Sequence, residues 1–324
     1  MMNPKIVVIG GGTGLSVILK GLKKITSEIT AIVTVADDGG GSGVLREDLG
    51  MLPPGDIRAC LIALSDVEPL LEDLFNYRYE NGQLKGQSFG NLMIAAMLGI
   101  SKDFKDAVIK VGEIIAINGR VLPVTTENIH IEAVLANGKV VLGESKIPLM
   151  VLKDQTVIER VRLVPSEPEA TEGVLEAIAE ADLVIVGPGS IYTSILPNLM
   201  VKGVAQALRE TSARRVYIAN LMTQPGEAFD EHLRKYIEIM ESHVGGGLFD
   251  LVMANSESLD REVKEIYRKQ QAYPVKTTRK DRQFLEKKGI GLLENNYVDV
   301  VKHYCRHDFD ILVKDLQKVL QSEN

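Results

Sequence analysis

A glycine-rich loop near the start of the chain is the first group of residues whose types could do chemistry. It reads Gly10-Gly11-Gly12-Thr13-Gly14 and stands between a β-branched run and an amphipathic segment. Glycine lets the backbone approach a ligand, and the N-terminus of a following helix offers unpaired N–H groups to an anion. Leu15 replaces the third glycine of the dinucleotide fingerprint Gly-x-Gly-x-x-Gly, and no P-loop lysine follows. The loop predicts a phosphate site of another kind, with an unliganded tight turn as the alternative.

A second glycine run carries two acids, in Asp37-Asp38-Gly39-Gly40-Gly41-Ser42-Gly43. In a dinucleotide-binding fold one acid at this place would hold a ribose hydroxyl. Two vicinal carboxylates beside an N–H-rich loop are instead suited to a Mg²⁺ ion that bridges phosphates, with Ser42 and Arg46 contacting the anion. The alternative is a solvated loop whose aspartates cap the next helix.

Further candidate residues lie just before predicted helices or just after predicted strands. They are Asp56 after Pro53-Pro54-Gly55, Ser88 and Asn91, the loop Gly187-Pro188-Gly189-Ser190, Asn220, and Arg306 in Arg306-His307-Asp308. Asp56 has the alternative role of a helix N-cap, and Arg306 that of a surface residue beside a capped helix. Ligands of open α/β sheets bind outside the carboxyl ends of the strands, so we expect these motifs to meet at one sheet edge.

The elements that must position these residues alternate between strand and helix. Residues 5–9 are a short β-branched run, 15–24 carry apolar residues at helical spacing, and 29–36 are again strand-like. This predicts an α/β fold, with a Rossmann-like, doubly wound and mostly parallel sheet. The remaining predicted helices are 57–64, 69–75, 91–98, 104–115, 194–209, 229–240 and 259–268, and the remaining strands of the sheet are 183–186, 216–219, 251–254 and 274–277.

Two segments depart from this alternation. Residues 120–164 lose the helical period and alternate in period 2, with Ala136-Asn137-Gly138-Lys139 as a turn, which predicts a small antiparallel β insert. Residues 309–320 are predicted to form an amphipathic C-terminal helix with Asp308 as its N-cap. We interpret residues 1–324 as a single domain that carries both additions.

Composition excludes several classes of function. The 324 residues have a formal charge of -7, which argues against nucleic acid or an anionic membrane as the partner. Cys60 and Cys305 are too few for a disulfide framework, no apolar run could span a bilayer, and we expect a soluble, cytoplasmic protein. The histidines lack metal-site spacing and Ser194 lacks the Gly-x-Ser-x-Gly elbow, so nucleophilic hydrolysis is disfavoured.

Taken together, these motifs resemble those of the bacterial gluconeogenesis factor family, a branch of the CofD-like superfamily. The motifs that carry the resemblance are the loop 10–14, Ala36-Asp37-Asp38-Gly39-Gly40-Gly41-Ser42-Gly43 with Arg46, Pro54-Gly55-Asp56-Ile57-Arg58, Ser88-Phe89-Gly90-Asn91, Gly187-Pro188-Gly189-Ser190 and Ala219-Asn220-Leu221-Met222-Thr223-Gln224-Pro225-Gly226-Glu227.

The resemblance implies a nucleotide site built from these loops. For this branch it implies binding of the nucleotide-sugar UDP-N-acetylglucosamine, and a role in cell shape and in growth on gluconeogenic carbon sources. It also implies a protein partner in cell-wall precursor metabolism, and it is compatible with a homo-oligomer. Some family members carry a kinase-target threonine after the Arg-His-Asp segment, but Phe309 stands there in this chain, which puts regulation by phosphorylation in doubt.

Three functions remain open at this point. The first is a nucleotide-sugar-binding regulator of wall-precursor supply. The second is a transferase resembling 2-phospho-L-lactate transferase, in which Asp37 and Asp38 would hold Mg²⁺ and Arg46 would offset charge on the transferred group. The third, an NAD(P)-binding oxidoreductase, rests on the partial match of the first glycine loop.

Overall fold

A seven-stranded parallel sheet forms the centre of the protein. The computed structural model describes residues 3–227 and 230–321, except for the side chain of Thr13. Its strands are β1 (Ile6–Gly10), β2 (Ile29–Val33), β3 (Arg120–Pro123), β7 (Leu183–Val186), β8 (Arg214–Ile218), β9 (Leu251–Asn255) and β10 (Gly291–Asn295). Their order across the sheet is β10-β9-β8-β7-β1-β2-β3.

The strand order reverses between β1 and β7. From β1 the chain adds β2 and β3 on one side, and from β7 it adds β8, β9 and β10 on the other. Every residue of β1, β2 and β7 is buried, as expected where helices cover both faces of a parallel sheet. The predicted Rossmann-like, doubly wound sheet is confirmed. Its topological switch point lies at the carboxyl ends of β1 and β7, where such folds bind their ligands.

The helices mostly fall where the apolar periodicity predicts them. The helix predicted over 194–209 is the exception, because it is broken into a π-helical turn (Ile191–Ile195) and two short helices around Pro197 and Gly203, whose φ is +83°. The helices are α1 (Gly12–Leu22), α2 (Gly40–Leu49), α3 (Gly55–Leu64), α4 (Pro69–Asn76), α5 (Phe89–Leu98), α6 (Phe104–Ile114), α7 (Lys146–Asp154), α8 (Val174–Ala179), α9 (Leu196–Leu199), α10 (Val204–Glu210), α11 (Leu233–Val244), α12 (Arg261–Lys269), α13 (Arg279–Lys287) and α14 (Phe309–Gln321). Phe229, the predicted start of the helix before β9, lies outside the described residues.

The antiparallel insert is present and is shorter than predicted. Its strands are β4 (His130–Leu135), β5 (Val140–Leu142) and β6 (Ile158–Val164), in the order β5-β4-β6. β4 alternates buried and half-buried residues, as the period-2 pattern requires. The segment Arg120–Pro123 belongs instead to the main sheet as β3, where it pairs with β2, and α7 interrupts the insert before β6.

The C-terminal part of the chain departs most from prediction. The strand predicted over 274–277 is wrong, since its residues make only isolated bridges from Pro274 to Met222 and from Lys276 to His232. The seventh strand of the sheet is β10, followed by a hairpin of β11 (Val298–Val301) and β12 (Tyr304–His307). The predicted helix α14 is confirmed, with the carboxylate of Asp308 accepting from the N–H of Ile311 at 3.1 Å. No helix in the described ranges combines the length and the apolarity needed to cross a bilayer.

Candidate functional site

The glycine loops after β1 and β7 meet at the switch point. A Cβ atom added to Gly14 would lie 2.7 Å from the carbonyl oxygen of Pro188, so only glycine permits this contact between α1 and the opposite loop. One added to Gly189 would lie 3.6 Å from the carbonyl oxygen of Gly11. The two loops therefore converge as expected. The closest approach of α1 to the loop after β7 is at Gly14 and not at Leu15.

The N-terminus of α1 is occupied by a carboxylate. Asp56 Oδ2 accepts a hydrogen bond of 2.7 Å from the backbone N–H of Gly12, which adopts a left-handed φ of +67°. Burial raises the pKa of Asp56 to about 6, although the hydrogen bond from the Gly12 N–H stabilises the carboxylate and lowers the pKa in part. Asp56 thus lies where an anion would bind a helix N-terminus, in the first turn of α3, and its side chain reaches across to the first glycine loop.

The two acids of the second glycine run point to different partners. Asp37 Oδ1 accepts from the N–H of Gly39 at 2.8 Å, next to Gly40 at the start of α2. Asp38 Oδ1 accepts from the N–H of Ser145 at 2.8 Å, in the loop that leads from the insert into α7. Asp38 therefore anchors the insert to the main sheet, while Asp37 faces Asp56 and Gly55 at the switch point.

Ser42 and Arg46 lie in the interior. The guanidinium of buried Arg46 donates to the carbonyl oxygen of Asp37 at 3.2 Å, to the side chain of Asn128 and to the carbonyl of Ile129. Burial lowers its pKa despite the nearby aspartates. Buried Ser42 packs against Gly55, where an added Cβ would lie 2.5 Å from Ser42 Oγ. Arg46 is thus bonded to groups of the protein and holds α2 against the start of the insert.

Ser88 and Asn91 are also bonded within the protein. Ser88 Oγ caps α5 by accepting from the N–H of Asn91 at 3.3 Å, and Asn91 Oδ1 accepts from Arg58 Nε at 3.1 Å. Arg58 donates further to Asn76 Oδ1 at 2.6 Å. These two predicted site residues therefore fix the orientation of Arg58, two residues after Asp56.

Ser190 joins the site to Glu227, one of two carboxyl groups here that were not among the predicted site residues. Its hydroxyl accepts from the N–H of Thr193 at 3.2 Å and donates to Glu227. Glu144, in the loop after β5, lies near Glu227 and both aspartates of the second run and bonds to Thr193. Burial raises the pKa of Glu144 and of Glu227 to about 7 each. Glu227 stands in the motif after β8, while only the fold brings Glu144 here.

A set of carboxyl groups thus surrounds the switch point. Burial, together with repulsion from neighbouring carboxylates, raises the pKa of Asp56 and Glu144, and the guanidinium of Arg58 offsets only part of the shift at Asp56. Within residues 3–227 and 230–321, no group of three or more histidine, cysteine or acidic side chains is arranged to hold a metal ion. A Mg²⁺ ion beside Asp37 would therefore draw its other ligand oxygens from water or from a bound phosphate.

A groove of about 550 Å³ opens on the β7–β8 side of the switch point. We call it the switch-point groove. Polar contacts fix its walls: Asn220 Nδ2 donates to the carbonyl oxygen of Gly189 at 2.9 Å, and the phenol oxygen of Tyr267 accepts from the N–H of Cys305 at 2.9 Å. Its walls include Gly14, Pro188, Gly189, residues 220–225, Tyr267, Tyr304, Arg306, His307 and Phe309.

The hairpin carries Arg306 to this groove. The Nε2 atom of His307 lies 3.0 Å from the carbonyl oxygen of Ala219, which ties the hairpin to the end of β8. Burial lowers the pKa of His307 to about 4, so the ring is neutral and its Nε2–H donates to that carbonyl. Arg306 is exposed and lines the groove beside Asn220, whose Oδ1 is buried without a hydrogen-bond partner in the described part of the chain.

The predicted site residues therefore divide into two groups. Those in the switch-point groove or its walls are Gly14, Gly189, Asn220 and Arg306, supported by Gly10, Gly11, Gly12 and Thr13 of the first loop and by Gly187 and Ser190 of the β7 loop. Those on the β1–β2 side are Asp37, Asp38, Gly39, Gly40, Ser42, Arg46, Asp56, Ser88 and Asn91. Of the second group, Asp37 and Asp56 face the switch point.

Comparison with known proteins agrees with this architecture. A family model described as 2-phospho-L-lactate transferase CofD matches residues 6–298. The gluconeogenesis factor of Bacillus subtilis is 44% identical, with 94% of this chain and 95% of that protein aligned. The gluconeogenesis factor of Listeria innocua is 38% identical over 99% and 97% of the two chains.

A solved structure shares the whole fold. The crystal structure of a UPF0052 family member from Bacillus halodurans superposes with a TM-score of 0.92 at 41% identity, covering 98% of this chain and 99% of that one. The two chains therefore share the sheet, the insert and the C-terminal hairpin region over nearly their full length. On these grounds the chain belongs to the CofD family and, within it, to the gluconeogenesis factors.

Proposed function

We propose that this protein is a regulator that binds UDP-N-acetylglucosamine in the switch-point groove. The observation that carries the proposal is the set of groups that meet there: the Gly14 and Gly189 loops, the exposed guanidinium of Arg306, and the unpartnered Oδ1 of Asn220. Glycine loops and an arginine suit a diphosphate, and an amide oxygen without a donor suits a ribose hydroxyl or a base N–H group. The rings of Tyr267 and Tyr304 offer faces for the base.

The position of the groove argues against a dinucleotide cofactor. An NAD(P) site of the Rossmann type spans the switch point, and its adenosine half lies on the β1–β2 side, where an acid after β2 holds the ribose. Here Asp37 and Asp38 hold Gly39 and Ser145, and the groove lies over β7 and β8. The oxidoreductase alternative therefore receives no support from the site.

Calorimetric titration tests the proposal directly. UDP-N-acetylglucosamine, GDP, GTP and NADP⁺ would each be titrated into the wild type with and without Mg²⁺. We expect the UDP-sugar to bind, and Arg306→Ala to weaken it by about tenfold, since a charge-assisted contact to phosphate is lost. Arg261→Ala, on the exposed face of α12, is the matched control and is expected to leave the affinity unchanged. No heat with the UDP-sugar, or equal loss in both variants, would refute the assignment.

The regulatory role would act through a protein partner in cell-wall precursor synthesis. The support is the membership of the gluconeogenesis factors together with a groove suited to a wall-precursor sugar nucleotide. A strain that lacks the protein, complemented with the wild type or with Arg306→Ala, tests this on gluconeogenic carbon sources. We expect only the wild type to restore normal cell shape. Full rescue by Arg306→Ala would show that the regulatory role does not require the ligand contact of Arg306.

A Mg²⁺-dependent transferase is the second candidate. It is favoured by the description of the matching family model and by Asp37 and Asp56, which face the switch point. Glu144 and Glu227, with pKa values near 7, could accept a proton from an attacking hydroxyl. Phosphorus NMR of each nucleotide with Mg²⁺ and an acceptor that supplies the attacking hydroxyl would reveal turnover. Product formation that Asp37→Asn abolishes would establish this function, and unchanged nucleotide over hours would exclude it for those substrates.

A further inference from the structure

A second cavity, of about 420 Å³, lies between the insert and α11. We call it the α11 cavity. Among the described residues the two cavities share no lining residue: residues 220–225 line the groove, whereas Glu227 and Asp230 line this cavity. The proposed nucleotide site does not use it, so it needs its own explanation.

The most specific feature of the α11 cavity is the hydroxyl of Tyr236. The side chain is only 2% exposed and lines the cavity, yet its hydroxyl has no hydrogen-bond partner among the described residues. A buried hydroxyl without a partner costs free energy, so native proteins rarely leave one unless a ligand or water completes it. Tyr192, also buried, presents a second phenol to the same space.

The charges that line the cavity are unbalanced. Glu227 and Asp230 contribute two carboxyl groups, and Lys235 is the single described cation of the lining. Lys235 Nζ already donates to Glu238 Oε2 at 2.7 Å, so its charge is shared with another acid. Burial raises the pKa of Glu227 to about 7, as expected for a carboxyl group that lacks a facing cation.

The rest of the lining is apolar. Val157 and Ile158 from the insert and Ile239 from α11 form the aliphatic wall. A ligand that fits must therefore combine a short hydrocarbon stem with a group that donates hydrogen bonds and carries positive charge. An alkylammonium group has three N–H donors and no acceptor, which matches carboxylate and phenol oxygens, and tyrosine rings attract cations at their faces.

We propose that the α11 cavity binds a primary alkylammonium group, with Glu227 as its counter-charge and the Tyr236 hydroxyl oxygen as a second acceptor. The proposal does not depend on nucleotide binding in the groove. Two sources offer this chemistry, a free small amine and a lysine side chain of a partner protein. A lysine side chain and n-butylammonium each carry an ammonium group on a four-carbon chain.

Titration with n-butylammonium chloride at pH 8, followed by amide NMR shifts, tests the proposal. We expect saturable binding with a dissociation constant of about 1 mM or tighter, in view of the small number of ligand atoms. The shifts should centre on β6 and α11. n-Butanol, which has the same stem without the charge, should bind at least tenfold more weakly. Equal binding of butanol, or shifts centred on the groove, would overturn the proposal.

Three variants locate the site. Glu227→Gln should weaken the binding of n-butylammonium by about tenfold, because it removes the counter-charge, and Tyr236→Phe by about fivefold, because it removes an acceptor; each keeps the shape of the side chain. Glu286→Gln, an exposed site on α13, is the matched control and should leave the affinity unchanged. Tyr236→Phe should also retain the affinity for UDP-N-acetylglucosamine, which shows that the fold persists. Unchanged amine binding in Glu227→Gln would refute the assignment.

Blocked lysine distinguishes the two sources. Nα-acetyl-lysine methylamide carries the same ammonium stem attached to a peptide backbone. Binding as tight as that of n-butylammonium supports a lysine of a partner protein, and binding of n-butylammonium alone supports a free amine. Binding of neither compound would overturn the proposal.

Discussion

Asp56 Oδ2 accepts the backbone N–H of Gly12 at 2.7 Å, so a carboxylate of α3 lies at the N-terminus of α1. In nucleotide-binding folds the ligand phosphate occupies the equivalent place after the first strand. Here the protein supplies its own anion to that N–H group. The groove accordingly opens on the other side of the glycine loop, over β7 and β8.

Replacement of Asp56 tests how much the first loop depends on this contact. Asp56→Ala leaves the Gly12 N–H without its acceptor, and we expect a loss of about 1–3 kcal/mol in the free energy of unfolding. Asp56→Asn keeps an oxygen that can accept the bond, so its loss should be less than half as large. Urea denaturation of both variants and the wild type at pH 5, where the Asp56 carboxyl is mostly protonated and its charge does not oppose folding, gives the comparison. Equal stability of Asp56→Ala and the wild type would show that the contact is incidental.

The extent to which the sequence predicts this site follows from where its residues lie. Glycine loops after buried strands are visible in the sequence because β-branched runs and glycines are local signals, and Gly14 and Gly189 do meet as expected. Glu144 was missed because it lies on the insert, and that loop reaches the switch point through long-range contacts, the Ser145 N–H to Asp38 hydrogen bond and the bond of Glu144 to Thr193. No local pattern encodes such a contact.

The same reasoning explains the missed elements. The start of α2 at Gly40 follows a glycine run that is typical of a loop, and its helix is held by Arg46 through contacts to Asn128 and Ile129, more than eighty residues away. The hairpin strands β11 and β12 are mostly exposed and lack the apolar alternation that predicts a strand. Their position depends on the tertiary bond from His307 to Ala219.

Gly14→Ala should destabilise the protein and abolish nucleotide binding. Alanine stabilises a helix by about 1 kcal/mol relative to glycine, so helix propensity alone predicts a gain in stability. The added Cβ would lie 2.7 Å from a backbone carbonyl, however, and the two loops would have to move apart. Gly10→Ala is the control, because its Cβ would meet only Leu15 Cδ1 at 3.8 Å. Thermal unfolding and UDP-sugar titration should separate the two; a stabilised Gly14→Ala would contradict the packing.

Three buried carboxyl groups should lower the stability as the pH rises from about 4 to about 7, and buried His307 should oppose them. The pKa of Asp56 is raised to about 6 and those of Glu144 and Glu227 to about 7, so these groups bind more protons in the folded state, whereas the His307 ring, with its pKa lowered to about 4, binds fewer. The penalty for burying these carboxylates is absent below their ordinary pKa values and complete above about pH 7. Denaturation at pH 5 and pH 8 measures the difference.

Glu144→Gln should reduce the difference in stability between pH 5 and pH 8 by about 1 kcal/mol or more, since it removes one of the carboxyl groups with a raised pKa. Glu286→Gln, exposed on α13, is its matched control and should keep the wild-type slope. The same slope in Glu144→Gln as in the wild type and in Glu286→Gln would contradict the burial of Glu144.

Asp38→Ala should loosen the insert rather than remove a metal. The Asp38 carboxylate accepts from Ser145, and a Cβ on Gly143 would lie 2.6 Å from its Oδ2, so the acid fits closely against the loop before α7. We expect a loss of about 1–2 kcal/mol in stability and faster amide exchange in the loop 143–145. Asp48→Ala, exposed on α2, carries the same change without that contact and should leave exchange unaltered. If Asp38→Ala instead left the loop protected and abolished only Mg²⁺-dependent binding, Asp38 would be a metal ligand and the insert would be held by other contacts.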